Sequence, residues 1–446
     1  MLFRSYHSFH QAGRFTSACG GMIVRDARAF GGDGGTTDAL VCEPFHNLVQ
    51  HARLAEKGVT FTATRLPGEG GFDFFASEDR WCRPVMVREG PDGALWIADM
   101  YRYIIEHPQF LPQRGKDELM AHYRLGDDRG RIYRVAREDL PPFRPLRLDR
   151  LDGPGLVNAL RSPGGWERDH AHQLLLWRAD PATIPPLRAL AAEATEPLAR
   201  LHALCVLDGL GALTPAEVSR ALADPHPGVR ENALRLAETR LAPEVLAAMT
   251  ALAGDREPKV RLQLALSLGA ASDPAAGEAL GRLLVADAGE PMMVAAVLSS
   301  SSGHAAAVTA AAARAGGPAL ERTGEALLPL VLAANDRDSV AALLGAITGG
   351  SQPLSAKAAA NLRRFLGLLA ERGSSLAALG ASPAQDALAQ AAVRVESRLG
   401  EARRLMDDRT APPADRLAAA GLLATEARTR AEALDADRKS TRLNSS

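Results

Sequence analysis

The chain has 446 residues, 46% of them hydrophobic, and a formal charge of −1. That length allows two or three ordinary domains, and the neutral balance gives no reason to expect nucleic acid or an anionic membrane as a partner. No apolar run reaches the roughly 20 residues of a membrane span.

The two ends stand apart from the rest. MLFRS (residues 1–5) reads as the translation of a reverse-complemented sequencing adapter, and DRKSTRLNSS (437–446) as that of the forward one. Both are expected to be adapter-like artefacts, leaving 6–436 as an internal fragment of a longer gene. Four cysteines, Cys19, Cys42, Cys82 and Cys205, form neither C-x-x-C nor C-x-x-C-H, so neither a zinc knuckle nor a c-type haem attachment is written here. A Cys19–Cys42 disulfide in an exported protein and a pair of buried free thiols both stay open.

Residues 6–137 carry the β signals. All five Tyr lie at or before Tyr133, and eleven of the twelve Phe at or before Phe143; aromatic and β-branched residues suit a pleated surface. Strands are predicted over 39–45, 46–54, 59–66, 83–90, 94–99 and 130–135. The Asp92-Gly93 pair between the fourth and fifth supplies the positive φ that a tight hairpin needs. Glycine-rich GGDGGTTD (31–38) lacks the Lys-Ser/Thr ending of a phosphate loop and reads as a plain loop. Many short strands at this spacing suit a sandwich or a propeller.

Residues 138–155 hold four prolines and read as a linker. From 156 to 436 the sequence turns to Ala, Leu and Arg, which favour helix. Pro197-x-x-Arg200 recurs as Pro227-x-x-Arg230 and Pro258-x-x-Arg261, at steps of 30 and 31, and Pro291 follows with Val294 in place of Arg. Pro413-x-x-Arg416 is a late copy. Asp224, Asp255 and Asp287 precede the later prolines. Proline is harmless at a helix start, where its missing N–H has no partner to lose. A period of this size predicts stacked helix pairs, with the arginines in a ladder to acidic residues of the adjacent repeat. DPHPGVRENAL (224–234) resembles short HEAT-like repeats. Over 299–317 the sequence is of low complexity and predicts helix with a loop.

FTSACGG (15–21), ALVCEPFHNLVQ (39–50), VTFTATR (59–65), FFASEDRWCRPVMVREGPDGALWIADMYRYIIEHP (74–108) and DDRGRIYRV (127–135) together resemble a family of membrane-bound dehydrogenases of planctomycete and verrucomicrobial type. There a β-propeller, similar to the quinoprotein glucose and sorbosone dehydrogenases, precedes HEAT repeats and often a cytochrome c domain. The resemblance implies an α+β multidomain chain: the last blades of a β-propeller, then an α-solenoid of HEAT-like repeats. It also implies an exported protein of the periplasm or cell envelope that oxidises a sugar or alcohol and passes electrons to a cytochrome c. Pyrroloquinoline quinone and calcium are the implied cofactors; haem c belongs to flanking sequence outside this chain. The fragment alone is expected to be inactive, because an open propeller exposes strand edges.

Two polar groups are the candidate site. DMYRYIIEHP (99–108) leaves a strand end with Asp99, Tyr101, Arg102, Glu106 and His107. Arginine can grip a carboxylate-bearing cofactor bidentately, which makes Arg83 and Arg102, with Asp99 and Tyr101, cofactor candidates. His107 is a candidate general base, having an ordinary pKa near neutrality. In CEPFHN (42–47), His46 is a second catalytic candidate, Asn47 a cofactor or substrate contact, and Glu43 a calcium ligand. The alternative is architectural: Asp99 caps a turn, Tyr101 packs between blades, and Arg83 forms a bridge between them. His170 and His172, two residues apart, point to different faces of a helix and do not form a metal pair. The competing function is a non-catalytic propeller and solenoid that binds protein or glycan partners.

Overall fold

The computed structural model describes residues 15–30, 37–105, 109, 113–140, 146–349, 355–380 and 386–426. His107, Glu106 and both adapter-like ends lie outside them. The chain forms two compact units, Met1–Leu213 and Thr214–Ser446.

The N-terminal unit opens with two antiparallel sheets. The first runs β1 (Cys19–Ile23), β2 (Thr37–Glu43), β3 (Leu48–Lys57), β4 (Thr60–Thr64) in spatial order, with short β5 (Phe75–Ala76) pairing onto the start of β3. The second is a three-stranded meander of β6 (Pro84–Glu89), β7 (Leu95–Asp99) and β8 (Arg131–Val135). Two short helices sit between strands, α1 (Ala27–Phe30) and α2 (Gln113–Leu119).

Alternation along the strands sends one face inward. Leu40, Cys42 and Val49 of the first sheet share a buried cluster with Val87, Leu95 and Ile97 of the second. The sheets approach tightly at Gly20, whose φ is +56°. A Cβ there would lie 2.3 Å from the Val85 carbonyl oxygen, so only glycine fits. The Asp-Gly hairpin forms as predicted: Gly93 has φ +72° and the Gly90 amide donates to the Ala94 carbonyl at 2.8 Å. Strands β1 and β5 went unpredicted: CGGMI of β1 shows no alternation of apolar and polar residues, and β5 is two residues long. Both sheets are open. The partial propeller expected from the sequence is not confirmed: the described residues form two facing antiparallel sheets that do not close.

Four helices complete this unit: α3 (Gly153–Ala159), α4 (Gly165–Arg178), α5 (Ile184–Glu193) and α6 (Pro197–Gly209), with α3 against α4 and α5, and α6 against α4 and α5. Helix α3 begins inside the stretch read as linker, on the Asp152 side chain, which accepts from the Gly155 amide. The helices meet the sheets through Arg25, which pairs with Asp169 of α4 and takes a 3.4 Å bond on its carbonyl from Arg168.

The C-terminal unit is a helical solenoid. Helices α7 (Pro215–Leu222), α8 (Pro227–Ala237), α9 (Pro243–Ala251), α10 (Pro258–Ser267), α11 (Pro274–Ala286) and α12 (Pro291–Ser299) all start on proline. Their even members pack along one row and their odd members along another. Leu, Val and Met fill the space between the rows: Val218, Val229, Leu234, Val245, Met249, Val260, Leu264 and Leu280 are all buried. Longer helices follow: α13 (Ala305–Ala315), α14 (Gly317–Ala333), α15 (Arg337–Thr348), α16 (Ala356–Glu371), short α17 (Leu376–Gly380) and α18 (Ala387–Asp407). A last helix begins at Pro413, the site of the late repeat copy.

Candidate functional site

The sheet topology gathers the sequence candidates at one end of the two sheets. The β2–β3 turn carries Glu43, His46 and Asn47; the start of β6 carries Arg83; the end of β7 carries Asp99, Tyr101 and Arg102.

Arg83 is 4% exposed and acts as a staple. Its Nη1 donates to the Pro44 carbonyl at 2.9 Å, its Nε to the Arg102 carbonyl at 3.0 Å and its Nη2 to the Tyr103 carbonyl at 3.0 Å. One guanidinium thus ties the β2–β3 turn to the segment after β7. Asp99 is equally committed. Its Oδ1 accepts the amides of Arg83 at 2.7 Å and Tyr101 at 2.8 Å, and its Oδ2 accepts from Arg131 Nη2 at 2.9 Å. Asn47, at φ +60°, turns the chain between β2 and β3, and its Nδ2 donates to the Cys82 carbonyl. Glu43 has no exposed surface; its carboxylate accepts the Thr16 and Ser17 amides at 3.2 and 3.0 Å and so anchors the chain ahead of β1. His46 is half-buried, its ring edge-on to Phe45 at 4.9 Å. Arg102 bonds the local carbonyls of Met100 and Tyr101.

An outer layer lies over this knot. The Arg131 guanidinium sits 4.3 Å from the centre of the Tyr101 ring and also reaches Asp79 at 3.3 Å. Trp81 packs against Tyr101 and Tyr103. Burial alone would raise the Asp79 carboxyl, but the Trp81 amide, Tyr101 and Arg131 hold it below its ordinary value. Burial, then Asp99, pushes the Cys82 thiol up to about 11. Among the described residues no group of three or more His, Cys, Asp or Glu side chains is placed to hold a metal ion.

A second polar centre escaped sequence reasoning. His51, 2% exposed, lies between Asp38 (Nε2 to Oδ1, 2.9 Å) and Glu69 (Nδ1 to Oε1, 3.0 Å), with Phe30 stacked on its ring at 4.3 Å. The signal was present: His51 is in phase with buried Val49 on β3, and an inward histidine needs partners.

The helices carry a third pattern. Arg168, Arg200, Arg230 and Arg261 each turn Nη1 back onto a carbonyl six residues earlier, at 2.7, 2.8, 2.8 and 2.7 Å. In the C-terminal unit the remaining edge of the guanidinium grips the next repeat. Arg261 reaches both oxygens of Asp287 at 2.8 Å from Nε and Nη2, as Arg230 does with Asp255. This is the ladder the repeat spacing predicts. Arg168 was missed because its proline, Pro163, stands five residues before it and not three. His172 turns away from His170 and meets His202 of α6, Nδ1 to Nδ1 at 3.1 Å. A cleft of about 540 Å³ opens beside Arg230 and Asp255, walled by Leu222, Ala248 and Leu252.

Residues 2–139 match a family described as a domain of unknown function, DUF7133, and residues 214–300 match HEAT repeats. No curated protein matches the chain. Among solved structures, a designed armadillo repeat protein aligns over 62% of this chain and 100% of its own, at 13% identity and a TM-score of 0.22; the fold assignment does not rest on it.

Proposed function

We propose that the chain is an interaction module, in which the helical repeats hold a protein partner. The observation that carries this reading is the arginine–aspartate ladder within the HEAT-matched region 214–300. It fixes each repeat on the next by side chains that have no chemistry left to offer a substrate. Stacked repeats of this kind present long binding surfaces, and two of these helices expose large apolar side chains, Leu266 on α10 and Met292 on α12. The test is direct binding. Proteins captured on the full chain are purified, and their affinity is measured against the parent and a Leu266→Glu/Met292→Glu variant of unchanged helicity. A partner that binds the parent and is lost from the variant supports the reading; partners that bind both alike, or none at all, end it.

A second reading has one observation in its favour. Two successive antiparallel meanders facing each other across a shared core are how neighbouring propeller blades lie, which fits the resemblance to a quinoprotein sugar or alcohol dehydrogenase of the cell envelope. The candidate ligands do not fit a quinone or calcium, however. Arg83, Asp99 and Glu43 spend their polar atoms on backbone groups and on Arg131. Sugar oxidation by the full chain after addition of pyrroloquinoline quinone and calcium would restore this reading over the first.

A further inference from the structure

We infer that Cys19 and Cys42 form a cross-strand dithiol that closes to a disulfide and locks edge strand β1 onto β2. The two are direct partners in the β1–β2 register. Residues directly opposed in an antiparallel pair have Cα atoms ~4.5–5.5 Å apart, inside the ~4.4–6.8 Å that a disulfide spans. Opposed residues also project to the same face of the sheet, and here both belong to the core between the sheets. Burial pushes the Cys42 thiol up to about 12, and Cys19 beside it adds to the rise. Cys82 and Cys205 have no such opposed partner; Cys82 lies just ahead of β6 and Cys205 on α6.

Access is asymmetric. Cys42 is fully buried, whereas Cys19 is half-buried on an edge strand. The strand has reason to be fastened. Its first residue sits at a bulge beside Gly20, and the chain ahead of it is held by the Glu43 carboxylate at the end of β2. With a small-molecule disulfide such as oxidised glutathione as oxidant, the Cys19 thiolate attacks one sulfur. A Cys19–glutathione mixed disulfide forms and one glutathione thiol leaves. The Cys42 thiolate then attacks the Cys19 sulfur and releases the second. Both protein sulfurs are oxidised, one glutathione disulfide is reduced to two thiols, and the two protein protons pass to the departing thiolates. The raised thiol pKa values make both steps slow near neutrality and faster at mildly alkaline pH.

The experiment uses the folded full chain in oxidised glutathione at pH 8.5, quenched by alkylation and mapped by mass spectrometry. The expected product is a Cys19–Cys42 linked peptide pair lighter by two hydrogens, two of the four thiols lost to alkylation, and a higher denaturation midpoint. Cys42→Ser is expected to stop at the mixed disulfide on Cys19. The inference is overturned if Cys19 and Cys42 both stay alkylatable, if wild type also stops at the mixed disulfide, or if either cysteine links instead to Cys82 or Cys205. A Cys82→Ser/Cys205→Ser variant, with its fold checked by circular dichroism, must give the same linked pair.

Discussion

Arg230 grips Asp255 across one repeat, with Nε and Nη2 donating to the two carboxylate oxygens at 2.8 and 2.9 Å. Both side chains are almost fully withdrawn from water. Burial alone would raise the Asp255 carboxyl, but the bonds from Arg230 hold it below its ordinary value. Removing one partner strands the other charge, which costs about 3–5 kcal/mol for a buried pair. Arg230→Ala is expected to lose that much in urea denaturation, and Arg230→Lys much of it, since an ammonium cannot reproduce the paired bonds. A loss under about 1 kcal/mol for the alanine variant would place the pair with exposed ion pairs.

Arg168 has the same backward bond but lacks the acid. It is 4% exposed, and its Nε has no partner. Asp255 stands three residues before Pro258; the position three before Pro197 holds Ala194. Burial, then nearby Arg25, lowers the pKa of the Arg168 guanidinium, the mark of a cation short of a counterion. Ala194→Asp should supply one. A charged hydrogen bond to a buried group contributes about 1.5–3 kcal/mol, so the variant is expected to unfold at a higher denaturant concentration than the parent. A lower midpoint would mean that the local backbone holds an aspartate away from Arg168.

His202 gives the chain a pH dependence of definite sign. Burial first, then His172 and Arg168, lowers its pKa from the ordinary value to about 4. The unfolded chain therefore binds a proton between roughly pH 6.5 and 4 that the folded chain refuses. Stability from this group is fully present above pH 6.5 and is lost as pH falls towards 4, by at most about 3 kcal/mol. Denaturation of His202→Gln across that window should show a flatter dependence than the parent, the carboxylates being common to both. Parallel curves would remove His202 as the cause.

Legibility in the sequence followed the length of the pattern. The repeats were readable because a proline and an arginine recur at fixed distance, and each plays one physical role at every copy. The Asp-Gly hairpin was readable for the same kind of reason, a turn residue with positive φ. Strand β1 carries no period in its five residues CGGMI and owes its place to the β2 register and the close approach at Gly20. The site was half legible. Sequence named Arg83, Asp99 and Tyr101 as candidates, and β6 and β7 bring them together, yet it could not say where their hydrogen bonds go. Arg131, 32 residues beyond Asp99, joins them only because β8 pairs with β7.

That network decides between architecture and chemistry at the sheet end. Asp99 receives two amides and Arg131, so Asp99→Asn keeps the size but loses the charge that Arg131 needs, and it offers an N–H where acceptors are required. The expected cost is about 1–3 kcal/mol, with β6 and β7 losing protection in amide hydrogen exchange next to residues 83 and 101. Arg83→Met is expected to cost at least as much, because the carbonyls of Pro44, Arg102 and Tyr103 each lose a buried donor. A group reserved for substrate would behave in the opposite way. Catalytic side chains are held under strain, and their removal commonly leaves stability unchanged or raised. If Asp99→Asn or Arg83→Met folded as firmly as the parent, the end of the sheets would be a site after all, and the dehydrogenase reading would regain its ground.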